Sequence, residues 1–351
     1  MFVKNAWHAV GYSQEFETSK PAARQIIGKP IVVYRTDAGD LVALDDRCSH
    51  RFAPLSRGRC EGDSLRCMYH GALFDRTGQC IQIPGQDKVP AQARVQSYAV
   101  VERDGWVFVW GGDPATADSG RLPNFLPLEG GEFTFAKGAM DYRAAADQIN
   151  ANLLDFTHLP FIHTASFGAT EDSWKGARSK ITPMENGISV TWWVPDAILP
   201  PDETRLAVRV VDQLLMYEYT VPGHLSMMME FYPENTALSC DFGTPDVAPV
   251  VRDYNAQSVC ATGEGTARYY YAWGVPKVVP EASVVAVERL EMAARAFEED
   301  RVMIEAQQRI IDSTPDDIAM VPNAADKAIT LFERLMAKVA REGSDPVSPA
   351  S

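Results

Sequence analysis

Apolar and polar positions alternate along this chain in two successive patterns. Up to Trp110, short apolar runs are bounded by turn residues: Ile31–Tyr34 and Leu41–Leu44 flank Asp37-Ala38-Gly39-Asp40, and Val100-Val101 and Trp106–Trp110 flank Asp104-Gly105. Asp-Gly accommodates positive φ, so these runs predict strands paired as hairpins. A stretch rich in Gly, Asp and Pro, Gly111 to Pro127, reads as a domain boundary. Beyond it the pattern predicts a helix over Asp147–His158 and strands over Ile188–Val194, Leu206–Tyr219, Leu225–Phe231 and Ala267–Trp273. Two long helices close the chain, Ala282–Ile311 and Ala324–Arg341, the first with Val284, Val287, Leu290, Ala294 and Phe297 at helical spacing as its apolar face. The fold class is α+β. A small all-β domain is expected over 1–115, an α+β domain over 116–342 and a disordered tail over 343–351.

Charge narrows the partners. With 33 Lys and Arg against 47 Asp and Glu, the net charge of −14 argues against nucleic acid or an anionic membrane, both of which need clustered cations. Met1 to Ser13 lacks a secretory leader pattern, and no run approaches the roughly 18 to 20 apolar residues of a membrane span. The expected compartment is the cytoplasm, where the six Cys stay reduced and read as metal ligands or packing thiols.

The cysteines and histidines are placed unevenly. Cys48-Ser49-His50 is followed by Cys67-Met68-Tyr69-His70, two loops that each offer one thiolate and one imidazole. That set suits a [2Fe–2S] cluster with two Cys on one iron and two His on the other. A Cys2His2 zinc site is the competing reading, but zinc fingers usually pair like ligands, whereas each loop here is mixed. Cys60, Cys80, Cys240 and Cys260 fit neither loop and read as packing thiols, and His224, after Pro222-Gly223, reads as a turn residue.

A second constellation lies in Asn152–His163. Asp155 and His158 are three apart, hence on one face of a helix, and Pro160 breaks that helix before His163, so that a bend can bring both imidazoles together. Asp300 falls on the apolar side of the long helix, three residues after Phe297 and four before Ile304, where a bare carboxylate is costly unless a metal or donor meets it. Two His and one carboxylate form the facial triad of non-haem Fe(II) oxygenases. Satisfied histidines and a helix ion pair are the competing readings.

Together these motifs resemble the oxygenase component of the Rieske non-haem iron oxygenases, in the branch of the vanillate and dicamba O-demethylases and toluenesulfonate methyl monooxygenase. Phe2-Val3-Lys4-Asn5-Ala6-Trp7 is similar to their opening, Asn152 to His158 with His163 to their iron helix, and Glu299-Asp300 with Glu305 and Gln308 to their third-ligand helix. The resemblance implies a Rieske domain followed by a helix-grip-type antiparallel sheet, with His158, His163 and Asp300 on mononuclear Fe(II) and Asn152 beside it. It implies that Asp155 bridges the cluster of one subunit to the iron of its neighbour in a head-to-tail homotrimer. The chain departs from the pattern at Ala151, at Ala145-Ala146-Asp147-Gln148, at His8 and in Ser258–Glu264, which lacks a substrate-side His.

No Gly-x-Gly-x-x-Gly follows a strand, so NAD(P)H is expected to act only through a separate reductase or ferredoxin. The expected function is O2-dependent hydroxylation or oxidative demethylation of a small aromatic substrate, with Phe161, Phe167, Trp273 and residues near Ala294 as pocket walls. A ring-hydroxylating dioxygenase and a Rieske electron carrier without oxygenase activity are the alternatives.

Overall fold

The computed structural model describes residues 2–199 and 209–342. Its described residues form two compact units: one of residues up to Leu122 with Cys260–Glu264 and 339–342, the other drawn from Pro123–Val259 and Gly265–Lys338. The expected tail over 343–351 and the start of the Leu206–Tyr219 strand lie outside the described residues.

The first unit is built of short antiparallel strands: β1 (Trp7–Tyr12), β2 (Ala22–Ile26), β3 (Lys29–Arg35), β4 (Leu41–Asp45), β5 (Arg59–Glu61), β6 (Ser64–Arg66), β7 (Leu73–Phe74), β8 (Cys80–Gln82), β9 (Ser97–Tyr98), β10 (Val100–Arg103) and β11 (Trp106–Trp110). They order as β1-β11-β10, β2-β3-β4-β9 and β5-β6-β7-β8. The expected hairpin between β10 and β11 turns on Asp104 and Gly105, both at positive φ. Strand β11 is buried at every position, which is why it reads as an uninterrupted apolar run. Val32, Tyr34, Leu44, Leu55, Leu65 and Phe74 form the core beneath the cysteine-bearing loops.

The second unit holds a seven-stranded antiparallel sheet in the order β12-β18-β17-β16-β15-β14-β13. Its strands are β12 (Phe133–Tyr142), β13 (Arg178–Met184), β14 (Gly187–Ile198), β15 (Val210–Thr220), β16 (His224–Tyr232), β17 (Val251–Gly263) and β18 (Thr266–Pro276). The helices are α1 (Ala146–Leu154), α2 (Leu159–Ile162), α3 (Glu171–Trp174), α4 (Thr236–Ser239), α5 (Ala282–Ser313) and α6 (Lys327–Glu342). This is the expected α+β class, a β domain followed by a sheet with helices against it.

Helix α5 lies on β12 and β18. The Phe297 ring packs edge-on against Tyr269 and Tyr271 at 5.1 and 4.9 Å, and the Tyr142 hydroxyl donates to the Phe297 carbonyl at 3.1 Å. Its buried face differs from the expected one. Val284 and Val287 are about half exposed, while Ala286, Arg289, Ala293 and Ala296 are buried. The alanines have short side chains that let the helix approach the sheet, a choice that hydropathy alone does not rank above valine. Further along, Glu305 accepts the Arg143 N–H at 3.0 Å and Gln308 accepts the Ala145 N–H at 2.9 Å, so α5 also fixes the start of α1.

Other expectations need correction. The helix expected over Asp147–His158 stops at Leu154, because Asp155 is extended (φ −119°, ψ 102°) and begins a separate turn. The break therefore precedes Pro160, which instead sits in the first turn of α2, a position that needs no N–H. His224 opens β16 rather than a turn; it is buried and paired with the Ser258 hydroxyl at 2.9 Å. Strands β12, β13 and β17 were not read from the sequence.

A buried histidine in the first unit sets a pH limit. His8 is 1% exposed and contacts the Val3 carbonyl at 3.0 Å through Nε2. Burial pushes its pKa down from 6.5 to about 4, against a smaller opposing effect of that carbonyl. The unfolded chain therefore takes up a proton that the folded chain refuses. Stability present above pH 6.5 is lost as pH falls toward 4, by about 3 kcal/mol over the whole window. Denaturant titrations at stepped pH are expected to show this loss, and His8→Gln to shrink it.

Candidate functional site

In the first unit, two loops repeat one backbone design. The Cys48 N–H donates to the Ala53 carbonyl and the Cys67 N–H to the Ala72 carbonyl, each at 2.8 Å. The Phe52 and Gly71 N–H groups return to the carbonyls of Cys48 and Cys67 at 3.0 and 2.9 Å. Each loop closes on a left-handed residue, Phe52 at φ 58° and Gly71 at φ 78°. At 71 a Cβ would come within 2.7 Å of Pro84, so glycine answers both the φ and the close approach. Phe52 adopts the same conformation at a steric cost, the kind of local strain found where a loop presents ligands.

These loops bring the four expected residues together. Cys48 and Cys67 point inward and are 2% exposed, while the His50 and His70 rings reach the surface with centroids 4.7 Å apart. Burial pushes the Cys48 thiol up to about 11; backbone N–H groups oppose the shift and the adjacent Cys67 thiol adds to it. Holding two thiolates here requires a strongly cationic group between them, and a [2Fe–2S] cluster with its Cys and His irons fits that requirement. Of the other cysteines, Cys60 and Cys80 pack into the core below the loops, Cys240 packs beside Trp193, and Cys260 is buried.

The second cluster is assembled by the broken helix and α5. Asp155 caps the turn Phe156–His158: its Oδ1 accepts the Thr157 N–H at 2.8 Å and the Thr157 hydroxyl at 2.6 Å. His158 Nδ1 is held by the Asp155 backbone carbonyl, not by its carboxylate. His163 Nδ1 donates to Glu299 at 2.8 Å, and Glu299 also accepts the Ser166 hydroxyl at 2.7 Å. With both Nδ1 atoms occupied, both Nε2 atoms turn to Asp300 Oδ1, at 3.5 Å from His158 and 3.2 Å from His163. Asn152 Nδ2 donates to the same Oδ1 at 3.0 Å.

One donor atom from each of His158, His163 and Asp300 lies within 4.8 Å of the others, close enough to hold a single cation. Burial lowers the His158 pKa despite the Asp300 charge, whereas at His163 the opposing Asp300 and Glu299 carboxylates outweigh burial and raise it. A cation here competes with protons for the His158 and His163 nitrogens, so its affinity weakens in acid.

A cavity of about 170 Å³ opens from these donors, the size class that takes one benzene ring. Phe167 and Trp273 line it as expected, as do Met292 and Phe297 near Ala294. Phe161 is 66% exposed and forms no part of the wall, because the turn that delivers His163 points it outward. Arg289 and the row Asp253, Asn255 and Gln257 are site residues that the sequence reading missed, and Glu299, named there only as part of the third-ligand helix, is the residue that holds His163. The signal for the row was present, as polar residues at period two alternating with Tyr254 and Ala256.

A β domain with a Cys2His2 cluster loop pair, joined to an α+β domain with two His and one carboxylate on a cavity wall, defines a Rieske-type oxygenase component. Comparison with known proteins supports this. The Rieske [2Fe-2S] domain model matches residues 6–99, and that of the vanillate O-demethylase oxygenase C-terminal domain matches residues 142–342. The iron-sulfur subunit of the toluene-4-sulfonate monooxygenase system of Comamonas testosteroni is 32% identical over 99% of this chain and 100% of its own. The oxygenase component of dicamba O-demethylase from Stenotrophomonas maltophilia is 30% identical over 88% of each chain. A crystal structure of dicamba monooxygenase bound to 3,6-dichlorosalicylic acid superposes with a TM-score of 0.86 at 26% identity, over 98% of this chain and 99% of that one.

The chain belongs to the Rieske non-haem iron oxygenases, of the vanillate O-demethylase oxygenase type. It is an oxidoreductase whose cofactors are a Rieske [2Fe–2S] cluster and mononuclear iron.

The Glu299 contact yields a direct test. Glu299→Ala strips His163 Nδ1 of its acceptor and is expected to weaken divalent-metal binding by about 10- to 100-fold. Titrating Fe(II) or Co(II) into protein with the cluster intact measures the change.

Proposed function

We propose that this chain is the terminal oxygenase of a multicomponent monooxygenase that inserts one atom of O2 into a C–H bond of a small aromatic substrate. The observation that carries the reading is the convergence of His158, His163 and Asp300 on a ring-sized cavity, in a chain that also carries the Rieske loops. The net reaction takes the substrate, O2, two electrons and two protons to the hydroxylated carbon and one water. At a methoxy carbon the product is a hemiacetal that releases formaldehyde, which makes the reaction an O-demethylation, as in the relatives named for vanillate and dicamba.

We read residues 1–115 as the cluster domain and 116–342 as the catalytic domain. Cys48, His50, Cys67 and His70 hold the cluster, and His158, His163 and Asp300 hold the mononuclear iron. When bound, the cluster supplies electrons and the iron supplies the site of O2 reduction. Asn152 steadies Asp300 through Oδ1, and Glu299 and the Asp155 carbonyl fix which nitrogen of each imidazole faces the metal. The Asp155 Oδ2 is the atom that would accept a cluster histidine of a neighbouring subunit in a head-to-tail homotrimer, since Oδ1 is taken by Thr157. The exposed Phe52, Met68 and Tyr69 beside the cluster histidines give an apolar rim for a docking partner, a reductase or ferredoxin that passes on NAD(P)H electrons. The absence of disulfides among the described cysteines accords with a cytoplasmic setting.

O2 uptake and formaldehyde release, measured with a reductase and a panel of methoxylated aromatics, test the reading. Wild type is expected to couple the two. Asp155→Asn is expected to slow turnover on the order of 100-fold while the cluster spectrum and iron content stay normal. Oxygen uptake with no hydroxylated or demethylated product from any substrate would count against it.

A further inference from the structure

We propose that Asn255 selects the substrate by donating a hydrogen bond from Nδ2 to an oxygen acceptor on the ring edge that faces β17, a carboxylate, sulfonate or carbonyl oxygen. This rests on the reading of the cavity as the substrate pocket and specifies what that pocket takes.

The argument begins at the strand. Asp253, Asn255 and Gln257 stand at period two on β17, so their side chains share one face, and all three line the cavity. Asn255 is 1% exposed and Gln257 is 4% exposed. The direction of their hydrogen bonds is set from one end. The Tyr269 hydroxyl donates to Gln257 Oε1 at 2.6 Å, which leaves Gln257 Nε2 to donate to Asn255 Oδ1 at 2.9 Å. Asn255 Oδ1 is thereby committed, and its Nδ2 becomes the end of the chain. That buried nitrogen has no hydrogen-bond partner among the described residues.

The surrounding walls offer it little. Its register partner on β16 is Met227, and Leu225, Met229 and Phe297 add further apolar surface around the cavity. Asp253 Oδ2 accepts the Trp273 indole N–H at 3.2 Å. A ring bearing an oxygen acceptor gives Nδ2 the partner it lacks, whereas a ring without one leaves a buried donor stranded, which is the stronger basis for discrimination. Charge does not choose the acceptor, because Asp253 and Arg289, one of each sign, both line the cavity and both are buried. The shared chemistry is the acceptor oxygen.

Three probes separate the possibilities: 4-methoxybenzoate, 4-methoxybenzamide and 4-methoxytoluene, which share a methoxy group and differ at the opposite end. Wild type is expected to favour the benzoate, the benzamide or both over the toluene by about 10- to 100-fold in kcat/KM, mainly through KM, with a parallel order in ligand-induced Tm shifts. Asn255→Leu removes the donor and is expected to erase that preference, with the cluster spectrum and the mononuclear iron content unchanged from wild type as the control for folding. Asn255→Asp keeps an acceptor for Gln257 and is expected to lose the benzoate more than the benzamide. An acceptor preference that survives in Asn255→Leu, a loss shared equally by all three probes, or no ligand-induced Tm shift in wild type would overturn the proposal. Asn255-dependent Tm shifts without turnover would leave Asn255 as the selecting residue and sink the oxygenase reading instead.

Discussion

A carboxylate at the bottom of an apolar cavity is the constraint around which the second unit is organised. Asp300 is 4% exposed, and a bare charge at such depth is expensive. The Asn152 Nδ2 donates to its Oδ1, and the His158 and His163 Nε2 atoms lie 3.5 and 3.2 Å from the same oxygen. Two imidazoles can both be aimed there only if their other nitrogens are held elsewhere, which is what the Asp155 carbonyl and Glu299 do. A divalent cation among these groups answers the carboxylate charge and uses both imidazole lone pairs, so the geometry is that of a metal site held ready by its own protein contacts.

The same constraint explains the chain path. A continuous helix from Asp147 would place His158 and His163 out of phase. A tight turn over Phe156–His158, capped by the Asp155 side chain, and the short α2 that ends at His163 replace that helix and bring the two rings to 5.3 Å between centroids. Helix α5 then serves both sides of the site: Asp300 and Glu299 reach the histidines, while Glu305 and Gln308 bind the N–H groups that precede α1. From the middle of α1, Asn150 donates to the Pro222 carbonyl at 3.0 Å and accepts the Tyr219 hydroxyl at 2.8 Å, tying the helix to the sheet.

Much of the site was legible because its signals are local. The Cys and His of each cluster loop lie within four residues of one another, and Asn152 to His163 is one short segment. Asp300 was reached by helical phase alone, since its neighbours Phe297 and Ile304 are apolar. The illegible part is where polarity and burial part company. Strand β17 buries Asp253, Asn255 and Gln257, and α5 buries Arg289 while exposing Val284 and Val287. A hydropathy pattern assigns apolar residues to the interior, and a cavity wall that must bind something inverts that rule. The role of Glu299 was illegible for a different reason: it is adjacent to Asp300 and half-buried, and only the fold shows that it reaches His163.

The most direct test of this account is the iron inventory of the chain with and without Asp300. Mössbauer spectra of anaerobically reconstituted protein distinguish cluster iron from mononuclear iron. Wild type should show both, and Asp300→Ala should keep the cluster signal and lose the mononuclear one. A wild-type chain that binds no iron beyond its cluster, or mononuclear iron that persists undiminished in Asp300→Ala, would contradict it.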